Sequence, residues 1–260
     1  MTRTWRLTDL EFVVAWEDSK EGFLPHPFIF TSRIPLWEDY LREQARVRAE
    51  LASKMDESFT SVLDTLARPD IRLEVTAWDA NKPDNPDRCL RVLAVRQGDR
   101  AILATQLPGE TVRHSGGFTF AEGDALSLAD MVADVVPSAE AGSRKQLVLA
   151  GTEAEDTDYS YGQSDVFDSF DSSSPVRSTA FLEEPVTTIG LIRIVQGGSR
   201  FGPRGITSHW LVLRDLADDG RYVIDDQNPP VAQSADRNKL VTLINTRIAT
   251  VVRAIKDERA

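Results

Sequence analysis

The fold class predicted by this sequence is α+β: a pseudo-twofold single domain whose strands share one central antiparallel sheet, with helices gathered at its ends. Three observations predict it. Residues 37–67 carry apolar side chains at a helical period, residues 71–107 switch to a period of two, and the strand–turn–strand–helix order of the first half recurs in the second. The length of 260 residues also accommodates two loosely coupled domains, which is the competing reading.

The elements follow in chain order. Residues 9–18 predict a short helix with Leu10, Val13 and Val14 on its apolar side and Thr8 as N-cap. Pro25 and Pro27 bracket an extended piece. A long charged helix is expected from Trp37 to Lys54, with Trp37, Leu41, Ala45, Leu51 and Met55 as its buried positions. From Glu57 to Ala67, the apolar residues Phe59, Val62, Leu63, Leu66 and Ala67 recur at helical spacing until Pro69 stops them. Ile71, Leu73, Val75 and Ala77 then alternate with polar neighbours and Trp78, which reads as a half-buried strand. The loop 81–87 is rich in Asn, Asp and Pro. Leu90–Arg96 and Arg100–Leu107 form a hairpin around Gln97-Gly98-Asp99, Phe118–Ala121 adds a strand, and Asp124 caps a helix.

Residues 151–176 hold seven acids, six serines and no Lys or Arg, which reads as a flexible connector. Beyond it, Thr187–Val195, Ile206–Asp215 and Arg221–Asp225 read as strands, and Ala235–Asp257 as a helix capped by Ser234. The expected organisation is an N-terminal subdomain over 1–150, an acidic linker over 151–176, and a C-terminal subdomain over 177–260, both subdomains sharing one sheet. Arg100, Ile102, Leu103, Gln106 and Pro108 recur at the same spacings as Arg221, Val223, Ile224, Gln227 and Pro229, which supports a repeat.

Composition excludes several functions. The net charge is -11, so phosphate backbones and anionic lipid are repelled and neither nucleic acid nor membrane insertion is expected. No apolar run reaches the ~18 residues of a membrane span, and no secretory signal stands at the start, so a cytoplasmic chain is expected. The single Cys89 rules out an intrachain disulfide, and His26, His114 and His209 lack metal-ligand spacing, so neither metal nor cofactor is expected. There is no phosphate-cradling Gly-rich motif. Gly197–Gly202 resembles a nucleophile elbow only until Phe201, where the motif needs glycine, and reads as a strand-to-strand loop. Asp218-Asp219 and Asp225-Asp226 read as solvated turn and strand-end carboxylates. No catalytic constellation emerges.

The strand 206–215 is more informative. One face carries Ile206, Ser208, Trp210, Val212 and Arg214, and the other Thr207, His209, Leu211, Leu213 and Asp215. With large apolar groups on both faces, either helices cover both or one face stays open as a binding surface.

Taken together, the chain resembles the EspG family, cytosolic chaperones of ESX (type VII) secretion. The residues that carry the likeness are LTDLEF at 7–12 with Trp16, PHPF at 25–28, LDTLARP at 63–69, IRLEV at 71–75, RVLAVR at 91–96, GDRAILA at 98–104, Trp210 and DGRY at 219–222. The segment 151–176 and the loop Gly197–Gly205 fall outside these motifs. The resemblance implies a central antiparallel sheet with N- and C-terminal helical bundles and no catalysis. It further implies binding of the hydrophobic tip of a PE–PPE heterodimer, solubility for that substrate, and delivery to the ESX machinery. By region, the expected contacts are Ile192, Ile194, Trp210, Val212 and Arg214 of the sheet, Leu240 and Ile244 of the last helix, and Asn81 and Lys82 of the specificity loop. The alternatives are a small-molecule-binding protein or enzyme using the sheet groove, and a self-associating module that forms a homodimer.

Overall fold

The computed structural model describes residues 3–19, 22–149 and 174–259. Most of the expected linker, 151–173, therefore lies outside the described residues. Its last three residues, 174–176, open a helix instead.

Among the described residues ten strands form one antiparallel sheet: β1 (Thr4–Leu7), β2 (Ile71–Asp79), β3 (Leu90–Gln97), β4 (Arg100–Pro108), β5 (Ser115–Asp124), β6 (Gln146–Val148), β7 (Val186–Gln196), β8 (Ser208–Leu216), β9 (Gly220–Asp225) and β10 (Val231–Ser234). Among the described residues six α-helices pack on it: α1 (Asp9–Ser19), α2 (Trp37–Lys54), α3 (Glu57–Ala67), α4 (Leu128–Val135), α5 (Ser174–Glu183) and α6 (Arg237–Arg259). The strand order is β1-β5-β4-β3-β2-β7-β8-β9-β10-β6. Read outward from the central β2–β7 pair, the two wings have matching connectivity: β2, β3, β4, β5, β1 on one side and β7, β8, β9, β10, β6 on the other. This is the expected pseudo-twofold α+β domain.

The residue match that suggested the repeat is not the match that the fold makes. Val95 and Ile102 pair across their hairpin, as Leu213 and Val223 do across theirs. Val95 and Ile102, however, belong to the core beneath α1–α3, whereas Leu213 and Val223 belong to the core beneath α4 and α6. A one-residue slip exchanges sheet faces, so the sequence alignment joins strands of the right order on opposite faces.

Local chemistry explains the helix starts. Thr8 and Glu11 form a reciprocal capping box: the Thr8 hydroxyl accepts from the Glu11 amide (3.2 Å) and the Glu11 carboxylate accepts from the Thr8 amide (2.8 Å). Asp56 caps α3 through the Phe59 amide at 2.9 Å, whereas the Asp124 carboxylate, accepting from the Leu126 amide at 2.7 Å, caps the short 3-10 turn 125–127 that leads into α4 rather than α4 itself. α6 departs from expectation. Asp236, not Ser234, accepts from the Lys239 amide (2.7 Å), because Ser234 still belongs to β10.

Long α2 departs as well. Gln44, Val47 and Leu51 are buried, whereas Trp37 and Leu41 are exposed. Gln44 is tolerated inside because its amide donates to Glu17 (2.9 Å) and to the Tyr40 hydroxyl (3.0 Å). Hydrophobicity alone therefore misplaced the stripe by part of a turn.

Candidate partner-binding surface

The helices cover the sheet unequally. On one face, α4 and α6 close over the core that includes Ile71, Leu73, Val92, Ile192, Ile194, Leu211 and Leu213. On the other face, α1–α3 seal the N-terminal wing around Phe12, Leu63, Leu93, Ile102 and Phe120. Among the described residues, the C-terminal wing of that second face carries a small cluster in which Phe181 of α5 packs on Leu216, Tyr222 and Ala232.

Alternation along β7 and β8 makes the consequence explicit. Ile192, Ile194, Leu211 and Leu213 are between 0 and 2% exposed. Their neighbours Ile189, Leu191 and Val212, pointing the other way, are half-buried, and Trp210 is 41% exposed. Cross-strand register assembles these side chains into rows. Thr76, Leu191, Val212 and Ile224 lie abreast in one row, and Trp78, Ile189 and Arg214 in the next. Glu74, Arg193 and Trp210 form a third. The result is an apolar strip at the middle of the sheet with cations at its margins.

Those cations are held in place. The Arg193 guanidinium lies 5.1 Å from the Trp210 ring centre and donates to Glu74 at 3.2 Å. Buried Glu74 also accepts from Arg72 (2.8 Å) and faces His26 (3.1 Å), which reaches over from the loop between α1 and α2. Three partners offset the cost of burying that carboxylate. Arg214 donates to the carbonyls of Leu182 (2.9 Å) and Glu184 (3.3 Å) at the end of α5, and its guanidinium is 5.7 Å from the Phe181 ring. Burial pushes the Arg214 guanidinium below its ordinary range, against the opposing pull of Glu184. Among the described residues, the Nε atoms of Arg193 and Arg214 are buried without a hydrogen-bond partner.

The nine expected contacts therefore separate. Trp210, Val212 and Arg214 share the open face. Ile192, Ile194, Leu240 and Ile244 do not: they are 0–1% exposed, sealed between the sheet and α6. Strand alternation places Ile192 and Ile194 opposite Trp210's face, and the stripe bearing Leu240 and Ile244 is the one α6 turns inward. Asn81 and Lys82 are exposed at the start of the β2–β3 loop, where their amides donate to Asp79 (2.8 and 3.1 Å). They lie beyond the Trp78 row, at the end of the sheet away from Trp210. Leu191, Ile189, Arg193 and Trp78 share the open face with Trp210, Val212 and Arg214 and are not among the nine expected residues. Their signal was available in the alternation of β7 and β2, but only the pairing of these two strands brings them together.

The remaining polar candidates have structural roles. His209 faces Asp226 at 3.0 Å, and Asp226 also accepts from the Trp210 amide at 3.0 Å. Asp225 pairs with Arg247 of α6. Asp219 is not merely solvated: it accepts from the Tyr222 hydroxyl (2.6 Å) and the Ser143 amide (2.6 Å), and its pKa is pulled down to about 2, chiefly by the Tyr222 hydrogen bond. Among the described residues, no three His, Cys, Asp or Glu side chains gather as a metal site, and no helix is long and apolar enough to cross a membrane.

Comparison with known proteins adds three findings. No curated protein sequence matches. The chain is similar in structure to the Mycobacterium tuberculosis type VII secretion system chaperone EspG5, solved in complex with a PE25–PPE41 dimer, with a TM-score of 0.52 and 13% sequence identity. That similarity covers 95% of this chain and 96% of the other, and at this identity it speaks for the fold. The sequence profile of the EspG family matches residues 8–246, nearly the whole chain, and this protein belongs to the EspG family.

Proposed function

We propose that this protein is a chaperone of type VII secretion that binds the hydrophobic tip of PE–PPE-type helical substrates, keeps them soluble and hands them to the ESX machinery. Family membership supports the class, and the partner named in the EspG5 complex supports the substrate. The observation that carries the reading is the unequal covering of the sheet. One face of β7 and β8 is sealed by α6, while the other presents Leu191, Val212 and Trp210 with Arg193 and Arg214 beside them.

An apolar helical tip laid on that strip removes area from water, worth roughly 25 cal/mol per Å² before the costs of association. The arginines suit the carbonyl-rich end of a helix, where the dipole is negative. Holding the tip lowers the concentration of the aggregation-prone free substrate by mass action. The action is binding without catalysis, in the cytoplasm, and Asn81 and Lys82 extend the contact at the far end of the strip. The two parts 1–150 and 177–260 act through one shared sheet, in which β6 of the first part closes the edge of the second part's wing beside β10.

Co-expression with a PE–PPE pair from the same genome tests this. A complex that survives size-exclusion chromatography, and raised solubility of the pair, are expected. Absence of a complex, with partner solubility unchanged, overturns the proposal.

A further inference from the structure

The loop between β7 and β8 belongs neither to the core nor to the apolar strip. Its sequence, GGSRFGPRG over 197–205, builds a tied-down projection. The Gly197 amide donates to the Asp70 carbonyl (2.8 Å), and a Cβ at Gly197 would stand 1.7 Å from the Pro69 carbonyl oxygen, so only glycine fits there. The Ser199 hydroxyl accepts from the Phe201 amide (3.1 Å), and the Ser199 carbonyl accepts from the Gly202 amide (3.0 Å). Gly202 turns the chain at φ 73°, and the Gly205 amide closes back on the Gly202 carbonyl at 3.1 Å. Glu258 of α6 accepts from the Arg200 amide (3.1 Å) and from Gln196 (2.9 Å), fastening the loop base to the last helix.

Three side chains project from this frame. Phe201 is 64% exposed, the Arg200 guanidinium lies 4.9 Å from its ring centre, and Arg204 is exposed nearby. Residues 197–207 contain no acid. Among the described residues, two carboxylates at the loop base have other partners: Glu258, held low chiefly by its Gln196 hydrogen bond and to a lesser degree by the Arg200 charge, and Asp70, which accepts from the Gly98 amide (2.8 Å) and pairs with Arg259 (3.4 Å). Among the described residues neither Arg200 nor Arg204 forms an ion pair. A rigid, twice-cationic aromatic knob thus stands on a chain of net charge -11.

We propose that this loop is a second attachment point, separate from the sheet face, for an acidic polypeptide segment carrying apolar side chains. Such a segment is repelled by the surface at large and attracted here, which fixes where it lands. The aromatic ring supplies the apolar contact and, with Arg200 stacked on it, a preorganised cation. The overall charge disfavours a nucleic acid, whose phosphates extend well past one loop.

The test uses fluorescence anisotropy with three labelled probes: a dodecapeptide alternating Glu and Leu, its Lys and Leu counterpart, and a short DNA duplex. The acidic peptide should bind the full-length protein, and more weakly as salt rises. The double substitution Arg200→Glu with Arg204→Glu should weaken it by about tenfold or more, and Phe201→Ala should cost a smaller factor. Trp210→Ala, which adds no charge, should leave this binding unchanged, which separates it from the substrate surface. Melting curves monitor folding, and Arg200→Gln with Arg204→Gln repeats the test should the reversed charges lower stability. Equal binding of the lysine peptide or the duplex, or undiminished acidic binding by the neutralised loop, overturns the proposal.

Discussion

Replacing Trp210 with arginine sets a second guanidinium beside Arg193 on the open face. Partner capture in size-exclusion co-purification should be lost, with the melting temperature little changed, because Trp210 is 41% exposed and supports no core. Leu240 should behave in the opposite way. It is 1% exposed between α6 and the sheet, so Leu240→Ala should cost about 2–5 kcal/mol in urea unfolding. Any lost partner binding should then track lost folding. The same contrast applies along one strand: Ile192 belongs with Leu240, and its neighbour Leu191 belongs with Trp210. From sequence, Ile192 and Leu191 are equally apolar. Only knowledge of which face α6 occupies tells core from contact.

At the scale of the element, α6 begins two residues later than its sequence implies, at Arg237 rather than Ala235. Asp236→Ala should destabilise the protein by about 1 kcal/mol, while Ser234→Ala, which removes no cap, should fall within a few tenths of that of wild type in chemical denaturation. Both residues are acceptable caps by composition. The choice was made by β10, whose pairing with β9 extends through Ser234 opposite Tyr222. The α2 stripe makes the same point, since a buried Gln44 paired with Glu17 and Tyr40 rotates the helix away from the face that hydrophobicity favours.

For the whole molecule, the sheet is closed at its C-terminal wing by a polar clamp. Arg144 joins Glu184 (2.6 Å), Asp219 (3.2 Å) and the Tyr222 hydroxyl (3.2 Å), tying the segment before β6 to the end of α5 and the β8–β9 turn. The pKa of Asp219 is depressed to about 2, so its contribution to stability is complete above the unfolded value of about 4 and is lost as pH falls towards 2. Glu184, also held low by its hydrogen bonds from Arg144, adds to the same acid window. Urea midpoints measured between pH 5 and pH 2 should fall more steeply for wild type than for Asp219→Asn. Equal slopes would remove Asp219 from the clamp.

The amino-acid order alone determined the strand and helix segments with strong periodicity, from α3 through β4 and again over β8 and β9, because alternation and helical spacing are local properties. It also determined the acidic balance and the motifs shared with the EspG family. Tertiary structure decided which face of each strand is covered. A strand's pattern records that two faces differ, whereas the identity of the layer on each face depends on where distant helices dock. That docking turned four expected contacts into core, joined β2 to β7, and left Trp210 and Val212 facing outward.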